Sequence, residues 1–417
     1  MTGAAPLAGA QVAIVHPAWH SCGTYQVVLG QVAAYRALGA AVMTIACGDV
    51  PGFAPGRAWA WRDFVAHTPE LDAQPRAFAG VKLRRALRPS YLRNTLAPFL
   101  RGDQAAMLAG AAEAAALSPE AERARFDLVH CNHFFCMPVA RRVAHGARIA
   151  LDTHDLQASQ FALIARSRRL VLRPRAAYED MLARELQQMR GADALIHLNA
   201  EEERFFRERL PQAAHHLLYP AVPDVGVSQG GGDILLVSSR NAGNVESALW
   251  FLREVMPQAG DPPVRIVGSV DAGVRAADRA LHARYKDRFV GRVDDPASFY
   301  RHARLVLLPT IAGTGLSIKT AEAMASGLPL IATRHAFRGM DFNPETLGNV
   351  TLADSPEEFA RALREAAGPS RRPKPASPWL GDTRRTYDRH FSPDAYRAGL
   401  LRVVGPLVAD RPGASVA

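Results

Sequence analysis

The segment 305–333 constrains the fold of this chain more than any other part of its sequence. It contains an apolar strand, a turn with Gly313 and Gly315, a predicted helix of about three turns, and a second apolar strand at 329–333. The helix is expected to end at Gly327, because glycine is a common C-terminal cap. This order of elements is a βαβ unit, which predicts two neighbouring parallel strands.

The turn and the helix after it carry residues that favour an anion. The start of a helix presents unpaired N–H groups and a positive dipole end, and glycines let a phosphate approach the backbone. Lys319, about one turn into the predicted helix, adds a positive charge, and Glu322, one turn further on, can accept hydrogen bonds from ribose hydroxyls. The pattern predicts a nucleoside diphosphate site; an ordinary βα turn with packing glycines is the alternative.

The block 289–340 resembles the donor-binding half of retaining, nucleotide-sugar-dependent glycosyltransferases of family 4, or glycosyl transferases group 1. Three motifs carry the resemblance, and they read FVGRVDD, FYRHARLVLLP and GTGLSIKTAEAMASGLP. A weaker resemblance extends from Val12 to Leu401. It implies the two-domain fold called GT-B, a hexosyltransferase-type enzyme, a nucleoside-diphosphate-sugar donor and retention of anomeric configuration.

The resemblance also implies roles for residues of the glycine turn and helix. It assigns the donor to Gly313, Gly315, Leu316, Lys319 and Glu322, with Glu322 on the ribose. Many family members carry another glutamate eight positions earlier, where this chain has Thr314. The motif Gly-Thr-Gly-Leu-x-x-Lys occurs in a subgroup of the family, so we expect Thr314 or the backbone amides of 313–316 to take over the contact with the donor sugar.

Three further positions follow strands elsewhere in the chain. His154 ends an apolar strand, and the family places a histidine of this kind beside the donor sugar; the alternative is a histidine satisfied by a neighbouring aspartate. Arg240 follows a strand at 234–238 and is expected either to neutralise the diphosphate or to lie on the surface. Gly23, in the turn after the first strand, is expected to bring backbone toward the sugar phosphate or the acceptor.

Two other residues receive separate predictions. Asn244 is expected to cap a helix at 245–255. Arg338, after the strand near residue 330, is a weaker candidate for contact with sugar or phosphate.

Strands and helices alternate along the chain, which predicts an α/β fold of two Rossmann-like, doubly wound parallel-sheet domains facing a cleft. We assign 1–224 to an acceptor-side domain, 225–232 to a glycine-rich linker and hinge, and 233–390 to the donor domain. The terminal helix and tail, 391–417, are expected to pack back on the first domain. The linker is placed at 225–232 because three consecutive glycines cannot support a regular element cheaply.

Composition limits the classes of partner. The chain has 417 residues, a formal net charge of +10 and four cysteines. The charge favours an anionic substrate or an anionic membrane surface, with an arginine-rich composition as the alternative. No zinc-finger, basic-zipper or aromatic RNA-binding signature indicates nucleic acid. Few cysteines and the lack of a signal-peptide pattern predict a cytoplasmic location.

Two arginine-rich stretches, 81–103 and 163–175, mix apolar and basic residues. They predict either contact with the anionic cytoplasmic face of the membrane, beside a lipid-linked acceptor, or a pair of solvated helices. The acceptor is expected to be a saccharide or a lipid-linked molecule in bacterial surface polysaccharide or glycolipid assembly.

No metal and no other cofactor is expected. The chain contains no Asp-x-Asp triplet, which fits the metal-independent transferases, in which helix dipoles and basic side chains stabilise the leaving diphosphate. The segment 130–136 has the residue types of a zinc site, but its apolar neighbours favour a buried strand. A sugar-nucleotide epimerase of the same fold, and an inactive sugar-nucleotide-binding protein, are the alternatives to a transferase.

Overall fold

The computed structural model describes residues 5–20, 22–48, 56–58, 60–80, 87–101, 115–166, 178–228, 230–368 and 381–409. The chain separates into two compact units. One comprises residues 1–220 together with 396–417, and the other runs from Ala221 to Ala395. Each unit is built on its own parallel sheet, which confirms the predicted fold class.

The first unit contains a seven-stranded sheet in the order β5-β3-β1-β6-β7-β8-β9, in which every neighbouring pair is parallel. Two short strands, β2 and β4, form a separate antiparallel pair. In chain order the strands are β1 (Gln11–Pro17), β2 (Trp19–His20), β3 (Ala41–Cys47), β4 (Gly56–Arg57), β5 (Arg76–Ala79), β6 (Leu128–Asn132), β7 (Arg148–Asp152), β8 (Ala194–His197) and β9 (His215–Leu217). The central strand β6 is buried along its whole length, as expected of a parallel strand covered on both faces.

Helices connect these strands. The longer ones are α1 (Gly23–Ala37), α2 (Met137–Ala144), α3 (Gln157–Arg166), α4 (Tyr178–Met189) and α5 (Ala200–Arg209). Shorter helical segments are Trp61–Ala66, Pro69–Leu71, Pro89–Tyr91, Leu92–Leu96, Ala97–Leu100, Pro119–Arg123 and Phe134–Cys136. The start of α5 shows why the sequence forms a helix there, because the Asn199 side chain accepts the N–H groups of Glu201 and Glu202.

The second unit contains a six-stranded parallel sheet in the order β12-β11-β10-β13-β14-β15. Its strands are β10 (Asp233–Val237), β11 (Val264–Val267), β12 (Phe289–Gly291), β13 (Ala303–Leu308), β14 (Leu330–Ala332) and β15 (Val350–Leu352). The chain builds outward from β10 in one direction and from β13 in the other. The strand order therefore reverses between β10 and β13, and such a point is where ligands bind in open parallel sheets.

The longer helices of this unit are α6 (Ala242–Trp250), α7 (Val270–Ala277), α8 (Ile318–Ala325), α9 (Pro356–Ala367) and α10 (Asp382–His390). Shorter segments are Phe251–Val255, Met256–Gln258, Arg279–Arg284, Lys286–Arg288, Ala297–His302, Arg334–Phe337 and Pro344–Thr346. The last helix, α11 (Pro393–Ala409), belongs to the first unit from Tyr396 onward. Its Gly399 lies against Leu218, whose side chain a Cβ at that position would overlap.

The glycine-rich segment predicted as a linker at 225–232 lies within the second unit. The Ser228 hydroxyl donates to the Ala303 carbonyl at 2.7 Å, and a Cβ on Gly231 would overlap the His302 carbonyl. Gly231 is therefore needed for close backbone packing at the start of β13. The division between the units falls upstream of this segment, after Pro220.

None of the helices in the described parts of the chain has the length and apolar character that crossing a membrane requires. The first arginine-rich stretch is described only over 87–101, and the second lies outside the described residues apart from the end of α3.

Candidate functional site

The candidate site lies at the carboxyl ends of β10 and β13, the two central strands of the second unit. A small pocket there is lined by Ser238 after β10, Pro309 after β13, Asn244 and Ser247 on α6, and Lys319 on α8, together with apolar residues of both strands. The starts of α6 and α8 thus meet where the strand order reverses, which is the position predicted for an anionic ligand.

The glycine turn before α8 has the backbone shape that the sequence predicts. Gly313 and Gly315 have φ values of 123° and 68°, a region that favours glycine. Leu316 is half-buried between them and the helix. Ser317 stands at the N-cap without a capping side-chain hydrogen bond. No side chain therefore caps the first turn, and the Thr320 N–H donates to the Ser317 carbonyl at 3.0 Å.

The helix itself is shorter than predicted, and its start corrects the placement of Lys319. It runs from Ile318 to Ala325, about two turns rather than three. Helical geometry is delayed because Gly315 has positive φ and Ser317 has extended backbone. Lys319 therefore lies in the first turn of the helix and not one turn inside it.

Lys319 is half-buried, and one hydrogen bond to another described residue holds its ammonium. Its Nζ donates to Asn244 Oδ1 at 2.8 Å. Burial lowers the pKa of Lys319 from 10.5 to about 8, and the positive charge of Arg338 acts in the same direction. The ammonium is thus a cation in a poorly solvated place, where an anionic ligand would stabilise it.

Asn244 does not cap α6, which corrects the sequence-based prediction. The cap is Asn241, whose Oδ1 accepts the Asn244 N–H at 2.8 Å. The Asn244 side chain instead joins three elements, because its Nδ2 donates to Ser239 O and Oγ at 3.0 and 3.1 Å while its Oδ1 accepts from Lys319. In the sequence both asparagines come just before the segment predicted as a helix at 245–255, so sequence alone does not separate their roles.

Gly243 is a site residue that the sequence prediction missed. A Cβ at this position would lie 3.0 Å from backbone atoms of Ala312 and Gly313. The Ile311 N–H also donates to Ser247 Oγ at 3.1 Å. The glycine turn therefore packs on the first turn of α6. A glycine inside a helix, where it costs about 1 kcal/mol relative to alanine, is the signal that indicates this contact.

Arg338, the weaker candidate in the sequence, lies on the glycine turn. Its Nη2 is 3.0 Å from the position of a Cβ on Gly313, and Nη1 donates to His335 O at 3.2 Å. His335 in turn contacts Gly313 O at 3.1 Å. Thr314 is exposed at the tip of the turn. Arg338 is therefore a second cation at the start of α8.

Arg240 lies at the same sheet edge with an exposed side chain. Its backbone N–H donates to Ser269 Oγ at 2.9 Å, and its Cγ is 3.5 Å from the position of a Cβ on Gly273 of α7. The stem of Arg240 thus lies along α7, and its guanidinium is accessible to a ligand at the carboxyl ends of the strands.

Glu322 is a half-buried carboxylate without a hydrogen-bond or ion-pair partner among the described residues. Burial raises its pKa from 4.5 to about 7. It lies beside the buried Tyr300, whose own pKa is raised by burial and by the charge of Glu322. An unpaired buried acceptor favours ligands that bring hydrogen-bond donors, such as sugar hydroxyls.

His154 lies at the end of β7 in the first unit, with a left-handed backbone at φ 55°. It is 6% exposed, and its Nε2 is 2.8 Å from Asn132 Oδ1. The nearer oxygen of Asp152 is 3.9 Å away, so the amide, rather than a carboxylate, holds the ring. Burial lowers the pKa of His154, and the ring stacks on His133 with centroids 4.1 Å apart.

His133 is a further histidine that the sequence prediction did not single out. Its Nε2 is 3.0 Å from Thr24 Oγ1 in the first turn of α1, and burial lowers its pKa. Gly23, the first residue of α1, is exposed, and a Cβ there would meet no atom within 4 Å. In the described residues no group of three or more His, Cys, Asp or Glu is arranged to hold a metal.

The structure therefore gathers one set of predicted residues in each unit. The second unit joins Lys319 to Asn244 beside the glycine turn, with Glu322 one turn further along α8 and Arg240 after β10. The first unit places Gly23 and His154 at the carboxyl edge of its own sheet.

Comparison with known proteins gives a family match for part of the chain. Residues 232–368 match the family model of glycosyl transferases group 1. A search of the curated proteins finds no match.

Three solved structures are similar to this chain over nearly its whole length. The first is a sucrose-phosphate synthase from Thermosynechococcus elongatus, which is 18% identical, covers 96% of this chain and 100% of its own, and has a TM-score of 0.60. The second is HepE from Anabaena in complex with UDP and glucose, which is 13% identical, covers 95% of this chain and 100% of its own, and has a TM-score of 0.59. The third is the pneumococcal O-GlcNAc transferase GtfA in complex with UDP and GlcNAc, which is 11% identical, covers 96% of this chain and 100% of its own, and has a TM-score of 0.56.

The whole chain thus has the two-unit parallel-sheet fold of GT-B glycosyltransferases. Within it, the second unit carries the glycosyl transferases group 1 region, which confirms the family resemblance seen in the sequence.

Proposed function

We propose that this protein is a retaining glycosyltransferase that moves a sugar from a nucleoside-diphosphate sugar to an acceptor without a metal ion. One observation carries the proposal. A half-buried cation, Lys319, and an unpaired carboxylate, Glu322, lie on the first two turns of a helix that starts at a positive-φ glycine turn.

The diphosphate is proposed to bind at the start of α8. The N–H groups after Gly315 and the helix dipole favour a negative charge there. Lys319 and Arg338 add positive charge at the same turn, and Arg240 adds it from the end of β10. When the bond to the sugar breaks, negative charge grows on the leaving diphosphate, and these fixed groups stabilise it without reorganising.

The ribose is proposed to bind Glu322. Its carboxylate has no partner in the described residues, so two ribose hydroxyls would supply the donors that it lacks. UDP is the proposed nucleotide, because the similar proteins HepE and GtfA were solved with UDP.

Thr314 is proposed to contact the sugar of the donor, and His154, in the first unit, is proposed as a binding or orienting group. Thr314 is exposed at the tip of the glycine turn, where its hydroxyl and the neighbouring amides replace the glutamate that many family members carry. His154 is buried and neutral, because burial lowers its pKa, and Asn132 holds its ring. We assign it the role of orienting the sugar rather than that of an acid or a base.

The acceptor is proposed to be a saccharide or a lipid-linked molecule used in bacterial surface polysaccharide or glycolipid assembly, on the cytoplasmic side of the membrane. The described part of the first arginine-rich stretch, 87–101, contains three arginines and no acidic residue. Leu87, Leu92 and Leu100 are 63%, 37% and 60% exposed there. Exposed apolar and basic residues in one segment fit contact with anionic lipid.

Thr314 favours one second candidate, a sugar-nucleotide-binding protein without transfer activity, because the sugar-contacting carboxylate is absent. Calorimetry with UDP, followed by hydrolysis assays with a panel of nucleotide sugars, separates the candidates. We expect micromolar UDP binding and slow hydrolysis of one donor. Binding without turnover of any donor supports the second candidate, a change of sugar configuration without UDP release supports an epimerase, and no binding of any nucleotide refutes the site.

The site assignment has its own test. Lys319→Met should weaken UDP binding about tenfold or more, since charge-assisted hydrogen bonds contribute about 1.5–3 kcal/mol. Lys286→Met is the matched control, because Lys286 lies in a short helix before β12 and not at the pocket. Equal affinity of both variants for UDP would contradict the assignment.

A further inference from the structure

The side chain of Asn244 has a fixed orientation at the pocket. Its Nδ2 donates to two acceptors of Ser239, the carbonyl oxygen at 3.0 Å and the hydroxyl at 3.1 Å. Only the amide nitrogen can donate, so these two bonds set which way the amide faces. The opposite end, Oδ1, is thereby directed at Lys319 Nζ.

Lys319 depends on this acceptor. The lysine side chain is long and flexible and carries about 2 kcal/mol of rotamer entropy. In the described residues its ammonium has one hydrogen-bond acceptor, Asn244 Oδ1 at 2.8 Å. Glu322, three residues further along the same helix, does not pair with it, although this spacing is common for ion pairs on helices.

The choice of a neutral acceptor matters for binding an anion. A carboxylate at position 244 would cancel the charge of Lys319 and would itself repel a diphosphate. An amide oxygen fixes the ammonium and leaves its full charge available. The other residues that line the pocket are neutral, and Arg338 is the charged group that acts on Lys319 from outside α8.

We propose that Asn244 is a positioning residue for the donor diphosphate: it holds the Lys319 ammonium between the starts of α6 and α8 without neutralising it. This rests on the proposed function of the same site, and it assigns to Asn244 a role that acts only through Lys319.

The inference sets the pH dependence of binding. Lys319 has a pKa of about 8, so it is charged below that pH and loses its charge as the pH rises through it. UDP affinity should fall over the same range. Removing the acceptor with Asn244→Ala disfavours the charged form and lowers the pKa further, whereas Asn244→Asp adds a negative partner and raises it.

The lysine itself can be observed directly. The chain contains only four lysines, at positions 82, 286, 319 and 374, so a ¹³C-lysine-labelled sample gives few NMR signals, and Lys319→Met assigns the one of interest. We expect the titration midpoint of Lys319 near pH 8 in the wild type. It should be about one pH unit lower in Asn244→Ala and above pH 9 in Asn244→Asp, and each unit corresponds to about 1.4 kcal/mol. An unchanged midpoint in both variants overturns the inference, whether or not the protein binds UDP.

Calorimetry with UDP between pH 6.5 and 9.5 tests the link to binding. Asn244→Ala should weaken binding about tenfold at pH 8 and less at pH 6.5, and it should add no further loss to Lys319→Met. An equal loss in the Lys319→Met background overturns the positioning role. Absence of UDP binding by the wild type refutes the proposed function instead. The NMR titration of Lys319 needs no ligand, so it separates failure of the proposed function from failure of the positioning role.

Asn349→Ala is the control for loss of stability. Asn349 is also a half-buried asparagine of the second unit, and it donates to Gly327 O and Leu328 O beyond the other end of α8. The Asn349→Ala variant should have a lower melting temperature, because these hydrogen bonds are lost, while the titration midpoint of Lys319 stays unchanged. A matching shift of the midpoint in this variant would show that general loosening, rather than Asn244, controls Lys319.

Discussion

Replacing Glu322 with glutamine should stabilise the ligand-free protein at alkaline pH while it weakens nucleotide binding. Burial raises the pKa of Glu322 from 4.5 to about 7. At about 1.4 kcal/mol per pH unit, this rise corresponds to about 3 kcal/mol. The neutral carboxyl therefore favours folding fully below pH 4.5, and this stabilisation is lost as the pH rises through 7.

Glutamine is neutral at every pH, so Glu322→Gln removes that loss. We expect little change in stability at pH 5 and a gain of up to about 3 kcal/mol at pH 8. For a unit of this size, 1 kcal/mol corresponds to roughly 2–4 °C, which gives an upper limit of about 6–12 °C for the second unit. UDP affinity should fall about tenfold, because glutamine keeps one acceptor but loses the charge.

Differential scanning calorimetry from pH 5 to pH 8, with and without UDP, measures both effects. Glu365→Gln is the matched control, since Glu365 is exposed on α9 and its replacement should change neither quantity. Two results would refute the assignment of an unpaired, half-buried carboxylate. One is a Glu322→Gln protein that is less stable than the wild type at pH 8, and the other is a change in melting temperature that is equal at pH 5 and pH 8.

Three further predictions concern packing and surface. Gly268→Ala should reduce the yield of folded protein sharply, because Gly268 has φ 114° and its Cβ would overlap Ser238 O; soluble expression and melting temperature measure this. Gly243→Ala should displace the glycine turn and weaken UDP binding several-fold, whereas Gly232→Ala, which meets no atom within 4 Å, should not. Flotation with anionic liposomes should be salt-sensitive and should weaken when the arginines of 87–101 are changed to serine, and binding unaffected by salt would contradict an electrostatic contact.

The sequence predicted the strands of the second unit well because each is a short apolar run bounded by turn residues. The strands predicted at 234–238 and 329–333 match β10 (Asp233–Val237) and β14 (Leu330–Ala332) to within one residue at each end. Such strands are buried on both faces, so hydrophobicity alone marks them. The glycine turn was also readable, since Gly313 and Gly315 do adopt the left-handed backbone that makes glycine necessary.

What sequence could not supply were contacts between residues far apart in the chain. Lys319 and Asn244 are 75 positions apart, and nothing local distinguishes Asn244 from the true cap, Asn241. The start of α8 was misplaced because apolar periodicity does not show that Ser317 is extended. The low pKa of Lys319 and the high pKa of Glu322 arise from tertiary burial, which depends on neighbours that no short window contains.

The pKa shifts of Lys319 and Glu322 together indicate how the site is arranged before the ligand binds. Lys319 and Glu322 lie three residues apart on one helix, where an ion pair would relieve the cost of burying both. Lys319 bonds to Asn244 instead, and Glu322 has no partner among the described residues. Each group is therefore less stable in its charged form than it would be in water.

A nucleoside diphosphate supplies what each group lacks, a negative charge for Lys319 and hydroxyl donors for Glu322. Binding would then offset the unfavourable free energy of burying both charged groups without an ion pair between them. The two groups would respond to different parts of one ligand. Inorganic diphosphate should therefore raise the pKa of Lys319 and leave that of Glu322 unchanged, whereas UDP should also lower the pKa of Glu322. NMR titration of ¹³C-labelled lysine and glutamate side chains distinguishes these outcomes. A diphosphate-induced change at Glu322 would show that the two groups act on the same part of the ligand.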